Sequence, residues 1–316
     1  MTALESELQL IKARRKTLKR RKILNSLKWK DNLLGYLFLL PSLIVFTIFL
    51  FYPLIQTFYL SFQTTNPRGK VVDFAGWDNF KEIFTSARFY QSLEVTGLFT
   101  VLTVPTCILL ALLLAALTHN RLRGMKLFQF IFSLPVALSV STSSVIWMMM
   151  YHPSVGMLNY LLSLIHLKPI FWLTDPKWAL LSVSAMTVWM NVGFNYIVLQ
   201  SGLQGISEDI YDSAKIDGSG PIRTFVQIIL PLLSPTVFFV TIVSIISAFQ
   251  SFGQIHILTR GGPMDSTDVM VYAIYQDAFI NYRFGTGSAQ ALVLFALILI
   301  MTIIQFRVFE RKVHYQ

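Results

Sequence analysis

Apolar residues in this chain come in long, nearly continuous runs, without the alternation of half-buried strands or the narrow stripe of surface helices. Six such runs are bounded by charge: Leu34 to Phe58, Val95 to Leu117, Leu127 to Tyr151, Trp178 to Leu203, Ile229 to Phe252 and Ala289 to Phe306. A helix needs about 20 apolar residues to cross the hydrocarbon core of a bilayer. The pattern therefore predicts an all-α polytopic membrane protein with six transmembrane helices. Pro41, Pro53, Pro105 and Pro135 fall inside the runs, and Pro231 and Pro235 near the start of the fifth. Prolines are tolerated there because neighbouring helices can take up the freed carbonyls.

Composition closes off the alternatives. Hydrophobic residues are 54% of the chain and charged residues 13%, against about a quarter charged in a soluble domain. A soluble enzyme, a disordered tail protein and a secreted disulfide scaffold are all excluded. The single cysteine, Cys107, lies in an apolar run and reads as a small lipid- or core-facing residue. Ten of the basic residues fall in the first thirty positions. They read as a tail held near anionic headgroups rather than a nucleic-acid arm. The apolar run from Leu33 is too long for a secretory signal and lacks a small-residue cleavage site. Counted by alternating sides, eighteen Lys and Arg lie with the two termini and eight opposite. The excess predicts that both termini are cytoplasmic.

Two absences narrow the mechanism. No Asp, Glu, Lys or Arg lies well inside any run, whereas proton-coupled carriers and voltage sensors usually carry such groups in the membrane. The one Gly-Lys pair, Gly69-Lys70, lacks the rest of a phosphate-binding loop. Energy for uphill transport must then come from another chain. An ATP-independent carrier or channel is the rival class, and it leaves the next segment without a purpose.

That segment connects the fourth and fifth runs. Ser207 can cap a helix whose first turn holds Glu208 and Asp209, where acids suit the dipole. Ile210, Ala214 and Ile216 are expected on one apolar side, and Gly218 can end the helix in a left-handed conformation. Phe225, Ile228 and Ile229 begin a second amphipathic stretch leading to Pro231. Asp212-Ser213-Ala214, then three residues to Gly218, then nine to Ile228-Ile229-Leu230-Pro231, resembles the loop signature of the permease subunits of ABC importers: Glu-Ala-Ala, three residues, Gly, nine residues, Ile-x-Leu-Pro. Asp212 and Ser213 depart from that signature, and Asp212 shortens the acidic reach by one methylene.

The resemblance continues with Phe74 to Phe80, Tyr151 to Asn159, Leu173 to Pro176, and Thr259 to Pro263 with Thr267. It points to the carbohydrate and glycerophosphate branch, on Gly220 to Arg223, Ala289-Gln290, Gln305 to Arg307 and Lys312 to Gln316. It implies the type I importer permease fold in a cytoplasmic (inner) membrane. It also implies a second homologous permease, two ATPase subunits binding ATP and magnesium, and an external solute-binding protein. This chain itself is implied to be no enzyme and to hold no cofactor. Asp212, Ser213, Ala214, Asp217, Gly218, Ile228, Leu230 and Pro231 would couple it to the ATPase, Ala214 by permitting close approach. Gly261, Gly262 and Pro263 would meet the binding protein. The division expected is a basic tail over 1–33, an accessory span and outer segment over 34–91, a core over 92–306 with its coupling loop at 205–231, and a tail over 307–316.

With no charge in the runs, uncharged polar side chains must line any pathway. Asn191, Asn195, Tyr196, Gln200, Ser247 and Gln250 are the candidates. Amides bond hydroxyls and rings cover carbon faces, which suits a small polyhydroxylated solute: glycerol-3-phosphate first, a sugar as the alternative. The same groups also serve as glue between helices. Ser139, Ser141, Thr142, Ser143 and Ser144 cover every helix face and read as packing residues. The five histidines lack metal-ligand spacing, so no metal is assigned. A phosphate would gain from a cation that the runs lack; helix amino termini, Arg260 or Arg283 would have to serve.

Overall fold

Each apolar run forms helix, and the computed structural model describes residues 34–119 and 124–309. The basic tail, Arg121 and Arg123 of the second turn, and the stretch from Lys312 to Gln316 lie outside the described residues. Among the described residues five helices are long and apolar enough to cross a membrane, and a pair bent at 102° brings the number to six if it counts as one span. The chain divides between Tyr59 and Leu60 into two units.

The first unit contributes most of α1 (Leu34–Ser61). Its helix loosens into a π turn over Thr47–Phe51, just ahead of Pro53. Proline has no N–H to give the ladder, and a wider turn is one way to accommodate that. Thr57 Oγ1 then donates to the Pro53 carbonyl at 2.9 Å.

The second unit opens with a hairpin, β1 (Gln63–Thr65) and β2 (Val71–Phe74), followed by α2 (Asp78–Thr85). Asn79 Nδ2 donates to the carbonyls of Ser61 and Gln63 at 2.8 and 3.1 Å. The spans follow as α3 (Ala87–Thr118), the pair α4 (Met125–Ala137) and α5 (Val140–Met150), and, after α6 (Met157–Leu164), α7 (Pro176–Gln204). Next come the short α8 (Glu208–Ile216) and α9 (Pro221–Leu232), then α10 (Ser234–Phe249) and α11 (Gly253–Leu258). The chain closes with α12 (Met270–Tyr275), which widens into a π turn over Gln276–Ile280, and α13 (Phe284–Phe309).

The core is built around α3. Phe99, Thr103, Cys107, Ala111 and Ala115 recur every fourth residue and are all buried. Four of these five are small, which lets α3 lie close along α7. Cys107 is thus core-facing. Thr96, Thr100 and Thr103 satisfy their hydroxyls on carbonyls one turn back, at 2.6, 2.8 and 2.7 Å, so they cost little in the apolar interior.

Two departures from the sequence reading matter for function. The third run is two helices meeting at 102° across Leu138 and Ser139. The fifth starts later than expected and is interrupted at Gln250 to Phe252. The breaks adjoin: a Cβ built on Gly253 would sit 2.9 Å from Val140 Cγ1, the first residues of α11 and α5. Ser139 caps α5 by accepting the Thr142 N–H at 3.1 Å.

Close approach also fixes α7 against α4. A Cβ on Gly193 would lie 2.9 Å from Val136 Cγ2 and 3.1 Å from the Phe132 carbonyl oxygen. Gly193→Val should therefore cost about 1–3 kcal/mol by overpacking, read as a lower thermal midpoint of the detergent-solubilised protein. Gly97→Ala, in open space on α3, should leave the midpoint unchanged or raise it.

Candidate functional site

The 205–231 segment folds as two helices joined by a rigid turn. Ser207 Oγ accepts the Asp209 N–H at 3.3 Å at the start of α8, and Glu208 and Asp209 fill its first turn. At the other end Gly218 has φ +72°. Its N–H reaches the Lys215 carbonyl at 3.0 Å, and the Ser219 N–H reaches that of Ala214 at 2.9 Å. This paired closure satisfies carbonyls that a helix end otherwise leaves open. Nothing lies within 4 Å of a Cβ built on Gly218, so glycine is demanded by the left-handed backbone and not by space.

The faces of α8 differ from the expected ones. Ile210 and Tyr211 pack on the core, and Ala214 is 3% exposed. The methyl of Ala214 thus lets α8 approach its own chain. Ile216 is 85% exposed, because two residues from Ala214 along a helix is over half a turn. Ile222, on α9, is 81% exposed. Also exposed on α8 and at its end are Asp209, Ser213, Asp217 and an Asp212–Lys215 ion pair of 2.9 Å. Of the second stretch, Ile229 is buried, Ile228 and Leu230 are half-buried and Pro231 is exposed. Two exposed isoleucines, Ile216 ending an acidic helix and Ile222 on α9, are the feature the sequence reading missed. Their only sequence signal was an apolar residue out of phase with the buried face.

The polar residues of the spans separate into two groups. Asn195 is buried and fully occupied, donating to Cys107 Sγ at 3.2 Å and to Ser244 Oγ at 3.1 Å. Tyr196 hydroxyl meets Thr118 Oγ1 at 2.7 Å. Both tie helices together. Asn191 is half-buried, Ser247 and Gln250 are exposed, and none has a side-chain hydrogen bond among the described residues. Ser247 and Gln250 lie one turn apart, Gln250 opening the break in the fifth span, and exposed Ser139 and Thr142 lie at the break in the third. Gln200 is buried, with its carbonyl oxygen unpartnered among the described residues. It lines a cavity of about 1030 Å³ with Gln129, Gln204, Lys126 and Tyr211, behind α8. Burial pushes the Tyr211 phenol above its ordinary pKa.

At the opposite end of the bundle, residues 259–268 form a stiff loop. Thr267 Oγ1 donates to the Gly262 carbonyl at 2.8 Å and meets Thr259 Oγ1 at 2.7 Å. Gly261 has φ +84° and is buried under Tyr272, whose ring would stand 2.9 Å from a Cβ there. Gly262 and Pro263 are half-buried, and the exposed tip is Arg260, Met264 and Asp265. Gly262 and Pro263 border a cavity of about 390 Å³ shared with Tyr151, His152, Leu173 and Thr174. Asn159 braces the neighbouring loop, bonding the Pro153 and Ile170 carbonyls, the Ile170 N–H and the Trp172 indole at 2.9–3.1 Å. Asp268 is buried, which pushes its carboxyl up from the ordinary range, against the pull of Arg88.

Residues 86–315 match the family model described as "Binding-protein-dependent transport system inner membrane component". The "sn-glycerol-3-phosphate transport system permease protein UgpA" of Agrobacterium fabrum is 34% identical over 92% of this chain and all of its own length. Its namesake in Pectobacterium atrosepticum is 32% identical over 91% of this chain and 98% of its own. A chain from the crystal structure of a bacterial alginate ABC transporter, in complex with an alginate pentasaccharide-bound periplasmic protein, is also similar. It superposes with a TM-score of 0.79 at 25% identity, covering 89% of this chain and 96% of that one. Apolar spans, a capped loop helix and matches over most of the length agree: this chain belongs to the binding-protein-dependent inner membrane components, the multi-pass permease subunits of ABC importers.

Proposed function

We propose that the chain forms half of the translocation pathway of an importer for glycerol-3-phosphate. It would pair with a second homologous permease, two ATPase subunits that bind ATP and magnesium, and an external binding protein. The observation that carries the solute is the identity of 32–34% over nine-tenths of the chain to relatives named for that compound. A sugar is the second reading, favoured by the lack of any Lys or Arg well inside the spans. In either case the 205–231 segment and both termini are cytoplasmic, and the 259–268 loop faces outward.

Exposed Ile216, on a helix that also exposes Asp209 and Asp212 and ends at exposed Asp217, suits an ATPase groove with an apolar floor and a basic rim, and exposed Ile222 on α9 would add to the apolar contact. Docking would draw Asp212 from Lys215 to that rim, an exchange that costs little because exposed pairs are weak. Exposed Ser247, Gln250, Ser139 and Thr142 are polar groups that lipid would penalise. They fit a water-filled path closed by the second permease, with Asn191 beside it. Discontinuous helices at such a point offer backbone groups to a solute. Amides and hydroxyls suffice for weak binding there, and weak binding favours release.

The complex, purified with its binding protein, should show ATPase activity stimulated by one solute from a panel of sugars and glycerol-3-phosphate. Asp212→Arg or Ile216→Asp should abolish that stimulation while the thermal midpoint of the isolated permease stays within about 2 °C, since exposed sites contribute little to stability. A sugar as the sole stimulant would replace the glycerol-3-phosphate reading. Asn195 and Gln250 should behave in opposite ways. Asn195→Ala leaves Ser244 without its partner and should lower the thermal midpoint. Gln250→Ala should leave the midpoint alone and slow solute uptake into proteoliposomes.

A further inference from the structure

A single helix joins the outer loop to the coupling helix. Helix α3 runs uninterrupted through 32 residues, Pro105 included, which is about 48 Å at 1.5 Å per residue. At its outer end Arg88 donates to Asp268 Oδ2 through Nε at 3.1 Å and Nη2 at 3.0 Å, and also bonds Gln276. Two turns on, Thr96 Oγ1 accepts the N–H of Met270, the first residue of α12, at 2.9 Å. The loop is thereby pinned to α3 by a buried carboxylate and a buried amide. At its inner end His119 caps α3, and its ring stacks on Tyr211 of α8 at 5.3 Å and 26°.

We infer that α3 is the transmission element of the importer, with Arg88–Asp268 and His119–Tyr211 as its outer and inner joints. This rests on the importer reading above. A helix resists compression because shortening it breaks its own hydrogen bonds. Displacement of the loop by a docking binding protein therefore arrives at Tyr211, and closure of the ATPases on α8 travels back the same way. These four side chains are positioning residues: they act through the loop at one end and through α8 at the other. Ordinary staples would occupy the same places, so the distinguishing property is energetic coupling between joints at opposite ends of the helix.

The test is the ratio of ATPase rates with and without loaded binding protein, in the reconstituted complex. Asp268→Asn and Tyr211→Ala should each lower the ratio about fivefold or more, the lower end of usual coupling energies. The double variant should be no worse than the more impaired single, because a link cut once transmits nothing further. Distant independent sites instead add in free energy. A loss near the product of the two singles, about 25-fold for two fivefold effects, overturns the inference, as does an unchanged ratio in Tyr211→Ala. Tyr211→Phe keeps the stacked ring and should hold the ratio within about twofold; a full loss there shifts the role to the hydroxyl and also overturns it. If Asp268→Asn does not assemble, Arg88→Gln, at a half-exposed side chain, replaces it with the same expectation. A wild-type complex that no loaded binding protein stimulates would defeat the importer reading and this inference together, whereas multiplicative losses in a stimulated complex defeat the inference alone.

Discussion

Lipid supplies no hydrogen bonds, so every backbone N–H and carbonyl in the spans must be satisfied by the chain itself or by a neighbour that brings water or polar groups. That constraint makes the six apolar runs helical, and it gives meaning to the two places where they are not. The break at Leu138 and Ser139 and the break at Gln250 to Phe252 are packed together through Val140 and Gly253. Scattered breaks would each need a separate remedy. Adjoining ones share a single polar region, and the exposed Ser139, Thr142, Ser247 and Gln250 around them are what such a region requires.

The same constraint explains why so few polar side chains are left for a solute. Between helices there is little hydrophobic driving force in a bilayer, so association depends on close packing and shared hydrogen bonds. Helix α3 packs on α7 and α10 with Thr103, Cys107, Ala111 and Ala115 buried, and Asn195 bridges α3 and α10 through Cys107 and Ser244. Asn195 and Tyr196 are consumed in holding the bundle. Asn191, one turn before Asn195 and only half-buried, is not.

Much of this was legible in the sequence, and the parts that were not fail for identifiable reasons. Span count follows from run length because lipid thickness sets it. The ends of α8 were readable because Ser207 and Gly218 act locally, through a side-chain acceptor and a left-handed backbone, whatever the surroundings. Faces were harder. Ile216 was grouped with Ala214 because both are apolar, although a helix separates them by about 200°. The 102° bend carries no glycine; it follows Pro135 and is set by how α4 and α5 pack on α7 and α11. Asn191 and Asn195 share a helix face yet differ in burial, which only the neighbouring helices decide.

The absence of charge in the spans then bears on how selectivity is divided. A site of amides and hydroxyls discriminates weakly among hydroxylated solutes, since each hydrogen bond to a solute replaces one to water and nets only about 1 kcal/mol. If the solute passes the breaks as proposed, strong selection falls to the stage before them, where a binding protein can enclose it. On the proposed reading the permease is left with timing: its path need open only when a loaded partner docks on the loop and the ATPases engage α8. Rigidity at both ends serves that task better than affinity in the middle. The loop is stiffened by Thr267 and Gly261 and α8 by its caps, while the long helix between them is bonded to the loop segment at one end, to Tyr196 at the other and to Asn195 midway.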